Sequence, residues 1–451
     1  MRGVVVFFRP LQYRRALMIE PISVFDPLPA RVHIFGAGMA GLAAAVRCLE
    51  LGLQVSLHES AKHAGGRCRS LYDDKIGRLI DNGNHLVLGG NPSLFEYLRT
   101  IGSNHLLEPG DISFPFVDLG TDETWTLRPG SAKVPLWLLM PWRRVPGTSF
   151  NDYKLMQELT TLPEDHSLGE LVEPGTQIFE RFWEPLCAAV LNTAAEEGSA
   201  KLIGLMLERT MLRGPMFTRP FFMPEGLSAS LVEPALSYIQ ERQGEVSFGS
   251  RIAALNLKDD QVIGFEAVGA ETELMENEAV ILALPPREVS LLVPEQIVPT
   301  EFRPIVNVHF RVDEGVTLPD GVPFLGLIGG VGHWLFQRGD VISVTVSAAT
   351  ELAEQSAESI AEKIWAEVAK ITSSGDLPVP PNRVIKEKRA TIAQTPEQNR
   401  RRPDSATRWK NLFLAGDWTN TDLPATIEGA VRSGQKAAEF LGAWNTTLIN
   451  R

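Results

Sequence analysis

Residues 31–41, RVHIFGAGMAG, decide the fold, because a β-branched apolar run leads there directly into a G-x-G-x-x-G turn. An alanine-rich helical pattern follows, and a second apolar run ends on Glu59. Strand, turn, helix and acid-terminated strand make a complete βαβ unit of the dinucleotide-binding kind. Gly36 permits the tight turn, Gly38 lets a pyrophosphate approach the backbone, and Gly41 lets the helix pack closely on the sheet.

The residues next to these glycines are predicted to hold the phosphates and the ribose. The helix begins at Met39 and Ala40, and its N-terminus carries the charge of the diphosphate. The Glu59 carboxylate is placed to accept hydrogen bonds from a ribose diol, and its charge repels an additional 2′-phosphate. We assign these residues and Ser60 to the cofactor site.

Two further glycine-bearing segments indicate a flavin. Residues 64–70, AGGRCRS, contain Gly65 and Gly66, whose amides can face phosphate, and Arg67, which adds charge-assisted hydrogen bonds. Residues 412–418, LFLAGDW, place Asp417 after Gly416, where its carboxylate can hold a ribityl hydroxyl. A helix then begins in the segment ATIEGA, residues 425–430, and its first amides point at the flavin pyrimidine, where charge accumulates on reduction.

These motifs together resemble the amine oxidase and phytoene desaturase superfamily of FAD enzymes. The resemblance implies FAD as the cofactor and a mixed α/β fold, in which a Rossmann-like FAD-binding domain of the GR2 type interleaves with a substrate domain of mixed sheet plus helices. It also implies that the Ile252 backbone contacts adenine and that the backbone around Thr426 and Ile427 meets the flavin. The loop after Asp81 is expected near the flavin, and its site residues are Asn82, Gly83, Asn84 and His85.

Motifs outside the cofactor segments resemble a narrower branch, the squalene-associated FAD-dependent desaturases of bacterial hopanoid synthesis, or hydroxysqualene dehydroxylases. They are FWEPL (182–186), LNT (191–193), PEGL (224–227), PIVNVH (304–309), WLF (334–336) and LPATIEGA (423–430). The sequence departs from the branch at Ala194 and Ala195, where proline is expected, and in its longer N-terminus. The resemblance implies a long isoprenoid substrate, reductive removal of an allylic hydroxyl, and a functional link to squalene or hydroxysqualene synthase-like enzymes.

The same motifs divide the chain into interleaved pieces. We predict an N-terminal extension (1–30), an FAD-binding domain in three parts (31–110, 225–290 and 389–445) and a substrate domain in two parts (111–224, mostly helical, and 291–388). Within them we expect one strand over 246–252, a hairpin over 262–275 and an amphipathic helix over 359–371. Arg400, Arg401 and Arg402 are interpreted as a solvated loop.

Removal of a hydroxyl needs a proton donor near the departing oxygen. His85 is the first candidate, followed by His309 and Asn192. A methionine- and phenylalanine-rich segment, residues 206–223, suits the lining of a pocket for a flexible hydrocarbon. The sequence leaves open the opposite direction of hydride transfer, as in a carotenoid desaturase. It also leaves open an isoprenoid carrier of the Rab GDP-dissociation-inhibitor type, which has this fold without flavin.

The composition of the chain limits the kinds of partner and the cellular compartment that we expect. The net charge of −12 argues against nucleic acid as a partner. The three cysteines are odd in number and unpatterned, which indicates neither disulfides nor a metal site. No stretch has the ~18 consecutive apolar residues of a membrane span. Residues 136–144, LWLLMPWRR, have the composition of an interfacial membrane patch or of a buried helix. We therefore expect a cytoplasmic protein with peripheral contact on the inner face of the cell membrane.

Overall fold

The computed structural model describes residues 31–130, 136–375 and 377–449, without the side chains of residues 443–449. The predicted N-terminal extension, residues 1–30, lies outside the described residues.

The described elements alternate between strands and helices along most of the chain. The strands are β1 (Arg31–Phe35), β2 (Val55–Glu59), β3 (Ser70–Asp73), β4 (Arg78–Asp81), β5 (Val87–Leu88), β6 (Glu108–Pro109), β7 (Phe114–Asp118), β8 (Thr124–Leu127), β9 (Pro220–Phe222), β10 (Glu245–Phe248), β11 (Ile252–Lys258), β12 (Gln261–Ala267), β13 (Ala270–Glu273), β14 (Glu278–Leu282), β15 (Phe302–Arg311), β16 (Phe324–Ile328), β17 (Trp334–Arg338), β18 (Val341–Val346), β19 (Asn382–Ile392) and β20 (Leu412–Leu414). The helices are α1 (Met39–Glu50), α2 (Pro92–Thr100), α3 (Leu155–Glu158), α4 (Glu184–Leu191), α5 (Ala200–Arg209), α6 (Pro215–Thr218), α7 (Glu233–Glu241), α8 (Pro286–Leu292), α9 (Thr350–Ala353), α10 (Ala357–Ile371), α11 (Pro396–Arg400) and α12 (Ile427–Ile449).

A five-stranded parallel sheet, in the order β10-β2-β1-β14-β20, forms the centre of the nucleotide-binding half. In its middle, Ile34 pairs with Leu57 on one side and Ile281 on the other, and all three side chains are fully buried. Parallel strands covered on both faces are largely apolar, as β14 is from Ala279 to Leu282. The sheet draws its strands from three widely separated stretches of the chain.

Glycines allow backbone segments around this sheet to approach one another closely. Gly36 has a φ of +105°, and a Cβ there would lie 2.3 Å from the Ala283 carbonyl oxygen. A Cβ on Gly41 would lie 1.8 Å from the Gly36 carbonyl oxygen. These contacts confirm the predicted reasons for glycine at the turn and at the helix face.

A seven-stranded mixed sheet, in the order β19-β15-β18-β17-β16-β7-β8, forms the other half. Only the β16–β7 pair is parallel among the pairs described in it. The long helix α10 packs its apolar face, with Ile364 and Val368, on the core side of this sheet. The predicted mixed α/β class is thus confirmed, whereas the domain boundaries remain predictions.

The sequence-based elements agree with the structure except at one strand. The hairpin is present as β12 and β13, and the amphipathic helix as α10. The strand predicted over 246–252 is wrong, because β10 ends at Phe248 and β11 begins at Ile252 in a different sheet. Gly249, with a φ of +68°, turns the chain between the two sheets.

Helices α1 and α12 pack backbone to backbone, which predicts a sharp response to one added methyl group. A Cβ on Gly434 of α12 would lie 2.1 Å from the Ala40 carbonyl oxygen, whereas a Cβ on Gly442 of the same helix would meet no atom within 4 Å. We expect Gly434→Ala to lower the free energy of unfolding by about 1–3 kcal/mol through overpacking. Gly442→Ala is the matched control and should raise it by up to about 1 kcal/mol, since alanine favours helix. Urea unfolding followed by circular dichroism measures both, and equal effects of the two substitutions would contradict the close packing.

Candidate active site

A single large cavity of about 1440 Å³ lies between the parallel sheet and the mixed sheet, and its lining comes from both. Gly38 and Gly65, from the two N-terminal glycine turns, form a parallel bridge, and the Gly65 amide donates to the Ala37 carbonyl oxygen at 2.8 Å. Asp417, from the C-terminal turn, lies at the same wall. The structure therefore brings the N-terminal and C-terminal glycine turns together around one cavity.

Nearly all of the predicted cofactor residues line this cavity. They are Gly36, Gly38, Met39, Ala40, Glu59, Ser60, Gly65, Gly66, Arg67, Asn82, Gly83, Asn84, His85, Ile252, Gly416, Asp417, Thr426 and Ile427. Gly41 is the exception, since it packs against the Gly36 backbone and the Ala283 side chain behind the turn.

The N-terminus of α1 has the features that a diphosphate requires. Gly38 precedes the helix in an extended conformation, and no side chain caps the first amides. A Cβ on Gly38 would meet no atom within 4 Å, so the space beside this backbone is open to the cavity. Uncapped amides at a helix start next to free space are suited to an anion. A dinucleotide diphosphate fits this part of the cavity.

Glu59 is held in place by the backbone at the end of β2. Its Oε2 accepts the Ala37 amide at 2.8 Å and its Oε1 accepts the Ala61 amide at 2.8 Å. The Ser60 hydroxyl also donates to Oε1 at 3.2 Å, and because an ionised carboxylate can accept about four hydrogen bonds, capacity for a ribose hydroxyl remains on Oε2. The rigid backbone contacts set the position of the acid before any ligand arrives.

Arg67 and Asp417 form an ion pair across the cavity wall. The Arg67 Nη2 donates to the Asp417 Oδ1 at 2.8 Å, and a further hydrogen bond reaches the Ala390 carbonyl oxygen. The neighbouring charge of Asp417 raises the pKa of Arg67. Sequence analysis assigned Arg67 to phosphate, whereas in the structure its guanidinium fixes the carboxylate. The physical reason is that the Asp417 side chain is 9% exposed, and a buried carboxylate needs a paired charge.

Arg402 is a residue that the sequence interpretation missed. Expected in a solvated loop, it is buried instead, and its guanidinium donates to the carbonyl oxygens of Asp417, Thr419 and Leu423 at 2.7–3.0 Å. Burial lowers its pKa to about 10, which still leaves it charged at neutral pH. Arg402 thus holds the backbone of the C-terminal glycine turn while Arg67 holds its carboxylate. A run of three arginines offers no sequence signal that one of them is buried.

The N-terminus of α12 also faces the cavity. Thr426 caps the helix, because its Oγ1 accepts the Gly429 amide at 3.2 Å. The first amides of the helix, starting with Ile427, have no partner within the helix itself. Glu428 points away to a second helix, and its two oxygens accept the Ser93 and Leu94 amides of α2 at 3.0 and 2.8 Å.

Towards the mixed sheet, the lining combines many apolar side chains with polar ones, three of which form a hydrogen-bond network. The Asn84 side-chain amide donates to the Thr345 hydroxyl at 3.0 Å, and that hydroxyl donates to the Asn307 Oδ1 at 2.8 Å. The Asn307 Nδ2 donates to the Asn82 carbonyl oxygen at 3.3 Å. Sequence reasoning missed Asn307 and Thr345, although a polar residue inside a buried apolar strand is a usable signal. The apolar lining includes Phe116, Phe182, Leu186, Met206, Met211, Trp334 and Phe336.

The three proton-donor candidates have different surroundings. His85 lines the cavity, and burial lowers the pKa of its imidazole to about 4. At neutral pH it is therefore an N–H hydrogen-bond donor rather than a cationic acid. His309 does not line the cavity, because it is buried in β15 with its Nδ1 2.8 Å from the Ser343 hydroxyl.

Asn192 lines the cavity, but the protein uses its side chain as a clamp. Its Nδ2 donates to the Arg303 carbonyl oxygen and the Thr391 hydroxyl at 3.0 Å each, and its Oδ1 accepts the Ala348 amide at 2.6 Å. The residue ends α4 with a φ of 50°, a conformation that asparagine tolerates. Since both amide hydrogens are engaged, Asn192 positions three elements around the cavity.

The methionine- and phenylalanine-rich segment contributes less to the lining than expected. Met206 and Met211 line the cavity, whereas Met216 is exposed on α6. Phe217, Phe221, Phe222 and Met223 are not part of the lining either. The prediction is wrong for these residues because, after Met211, only Thr218 of this segment reaches the cavity and the other side chains of α6 and β9 point elsewhere.

Of the three cysteines, Cys68 lines the cavity, whereas Cys48 and Cys187 do not. Cys48, Cys68 and Cys187 are free and buried. Burial raises the pKa of the Cys48 and Cys68 thiols to about 12, so neither is a thiolate at neutral pH.

Comparison with known proteins identifies the family. Residues 39–441 match the family described as flavin containing amine oxidoreductase. The chain is 44% identical over 414 residues to hydroxysqualene dehydroxylase of Rhodopseudomonas palustris, covering 91% of this chain and 98% of that protein. It is 41% identical over 415 residues to hydroxysqualene dehydroxylase of Sinorhizobium fredii, covering 92% and 98%.

More distant relatives share the fold. The 15-cis-phytoene desaturase of Synechococcus elongatus is 23% identical over 477 residues, covering 93% of this chain and 98% of that protein. Among solved structures, cyclohexylamine oxidase from Brevibacterium oxydans superposes with a TM-score of 0.67 at 15% identity, covering 93% and 100% of the two chains. The predicted FAD cofactor is confirmed by the family match, and the open cavity between the two glycine turns fits it. The chain belongs to the flavin-containing amine oxidoreductases and, within them, to the hydroxysqualene dehydroxylase family, and is thus an FAD-dependent oxidoreductase.

Proposed function

We propose that this enzyme removes the hydroxyl group of hydroxysqualene reductively and releases squalene. The observation that carries the proposal is a cavity with nucleotide-binding turns on one side and, on the other, a large group of apolar side chains beside the hydrogen-bonded Asn84, Thr345 and Asn307. A long hydrocarbon with one hydroxyl has the matching distribution of polar and apolar groups. The 44% identity to a named hydroxysqualene dehydroxylase supports the same substrate.

Four parts of the chain are placed to hold FAD. We assign the diphosphate to the open α1 N-terminus at Gly38, the adenosine ribose to Glu59, the ribityl chain to Asp417 and the flavin pyrimidine to the α12 N-terminus at Ile427. When bound in its reduced form, FAD would supply the hydride that goes to carbon and the proton that lets the hydroxyl leave as water, so that hydroxysqualene and reduced flavin would give squalene, water and oxidised flavin.

The protein must hold the allylic hydroxyl and keep water away. We assign the first task to His85, which is neutral and therefore carries one N–H that can donate to the hydroxyl oxygen. The neighbouring hydrogen bonds among Asn84, Thr345 and Asn307 hold the loop that bears His85 against the mixed sheet. The aromatic and aliphatic lining excludes water, so the developing positive charge is met by the substrate double bond rather than by solvent.

The substrate and product also suggest where the enzyme works. Both are water-insoluble hydrocarbons that partition into a bilayer, and we propose that the enzyme meets them at the cytoplasmic face of the cell membrane. In the parts of the chain that the structure describes, no helix combines the length and hydrophobicity of a membrane span. We further propose a functional link to the squalene or hydroxysqualene synthase-like enzyme that supplies the substrate, and no nucleic acid partner.

Anaerobic turnover of hydroxysqualene tests the proposed function. The purified protein should be yellow, and after chemical reduction its flavin should be reoxidised on adding hydroxysqualene, with squalene as the product by gas chromatography and mass spectrometry. Consumption of phytoene by the oxidised enzyme, without any squalene from hydroxysqualene, would favour a carotenoid desaturase instead.

Substitution of Glu59 tests the assigned ribose end. Glu59→Gln removes the charge and one of the two backbone hydrogen bonds, so we expect the FAD dissociation constant to rise about tenfold or more. The matched control is Glu245→Gln, an exposed acid whose ion pair with Arg31 lies outside the cavity. Ultrafiltration and visible absorbance measure retained flavin. Equal retention by both variants would contradict the assignment of Glu59.

The pH dependence tests the state of His85. The folded-state pKa lies below the ordinary value of 6.5, so the imidazole is neutral above it and gains a proton only as pH falls towards about 4. We expect kcat/KM to show no histidine inflection from about pH 5 to about pH 8. His85→Leu should lower kcat/KM about tenfold to a hundredfold, and His85→Gln, which keeps an N–H donor, should recover part of it. An inflection near pH 6.5 that disappears in His85→Leu would show a cationic acid instead.

A further inference from the structure

Among the described residues, five large apolar side chains are exposed within one short segment beside the substrate end of the cavity. Two 3₁₀ turns, Leu136–Leu139 and Pro141–Arg143, begin it, and a third, Phe150–Tyr153, ends it. The Trp142 side chain is 70% exposed and that of Leu139 is 59% exposed. We call the following set the Trp142 patch: Leu136, Leu139, Met140, Trp142 and Phe150.

The inner side of the same segment is packed and hydrogen-bonded. Trp137, Leu138 and Val145 are buried, and the Val145 amide donates to the Tyr153 hydroxyl at 3.1 Å. The Arg144 Nε donates to the Thr148 carbonyl oxygen at 2.8 Å. The backbone is thus held from inside while the large apolar side chains stay outside. The exposure of these apolar side chains is therefore a property of the folded segment. It results neither from a chain end nor from loose packing.

The Trp142 patch covers the end of the cavity. Val145, from the segment itself, and Leu127, from β8, both line the cavity. Tyr153 packs edge to face on Phe182, which also lines it, with ring centroids 5.2 Å apart. A single layer of side chains therefore separates the exposed apolar surface from the apolar part of the substrate cavity.

The charges around the Trp142 patch are positive, although the chain as a whole carries a net charge of −12. Arg128 and Arg143 are neighbours, since the Arg128 amide donates to the Arg143 carbonyl oxygen at 3.0 Å. Among the described residues, neither guanidinium has a carboxylate partner. Lys154 is exposed nearby together with two acids, Asp152, which caps the Ser149 turn, and Glu158, one helical turn further along. The positive charge that favours an anionic partner is therefore carried by Arg128 and Arg143.

We propose that the Trp142 patch seats on an anionic lipid bilayer and that the apolar substrate passes from the bilayer into the cavity between Leu127, Val145 and Phe182. The proposal rests on the proposed function for its substrate. Tryptophan and aliphatic side chains enter the interface between headgroups and acyl chains, while arginine and lysine pair with anionic headgroups. A hydrocarbon substrate then avoids passage through water.

Vesicle flotation of the flavin-loaded enzyme tests the surface. The probes are vesicles of phosphatidylcholine alone and of phosphatidylcholine with phosphatidylglycerol. The patch variant combines Leu139→Ser and Trp142→Ser, and the matched control combines Met275→Ser and Ile297→Ser, two side chains that are 66% and 64% exposed elsewhere. Arg128→Glu with Arg143→Glu tests the charge. Visible flavin absorbance and thermal unfolding check that each variant is folded.

We expect the parent enzyme and the control to float with the anionic vesicles, and the bound fraction of the patch and charge variants to fall about fivefold or more. The patch variant should lose turnover of hydroxysqualene embedded in vesicles but keep turnover of the detergent-solubilised substrate. Unchanged flotation of the patch variant would overturn the proposal. So would loss of self-association in that variant, measured by sedimentation velocity, without any vesicle binding by the parent enzyme. Absence of turnover in detergent as well as in vesicles would count against the proposed function alone, because flotation is measured without substrate.

Discussion

The ion pair between Arg67 and Asp417 is the contact on which the rest of the active site depends. It joins two residues 350 positions apart, and it satisfies a carboxylate that the fold has almost completely buried. A buried charge without its partner is costly, so the N-terminal and C-terminal glycine turns are stable only in each other's presence. Arg402 strengthens this arrangement from behind by binding the backbone of the same turn. The cavity wall that should face the ribityl chain is thus held by two arginines.

Two of the helix N-termini at the cavity, those of α1 and α2, differ in how their first amides are satisfied, and the difference directs where an anion can bind. The start of α2 is closed by Glu428, whose oxygens accept the Ser93 and Leu94 amides. The start of α1 is left without a side-chain cap and opens on free space. Because α2 already has its negative charge, it does not compete for the diphosphate. Glu428 is itself a residue of α12, so the same hydrogen bonds also link α2 to α12.

Much of the nucleotide-binding half was predictable from sequence because its constraints are local. Gly36 and Gly41 each meet a backbone requirement that only glycine fulfils, and Gly38 leaves open the space beside the helix start. The break between β10 and β11 was not predictable in the same way, since residues 246–252 have a continuous strand-like pattern. Only the separate sheets on either side require the chain to turn at Gly249.

The substrate half depends on contacts between residues far apart in sequence. Fewer of its features could therefore be predicted from the sequence. Asn192 has a side chain that could act in catalysis. Its hydrogen bonds to Arg303, Thr391 and Ala348 show that it instead holds these parts of the chain together. The polar chain through Thr345 and Asn307 forms only when β15 and β18 pair and the loop with Asn84 docks on them. Arg402 is similar, because its burial follows from the loop that folds over it.

The order of strands in the parallel sheet has a consequence for biosynthesis. β20, at one edge, comes from residues 412–414, and α12, which covers the sheet, begins at Ile427. A nascent polypeptide whose synthesis has not passed residue 414 therefore lacks one edge of this sheet, and one that has not passed the start of α12 also lacks the helix that covers it. The parallel sheet can be completed only after this late segment has joined the strands made earlier.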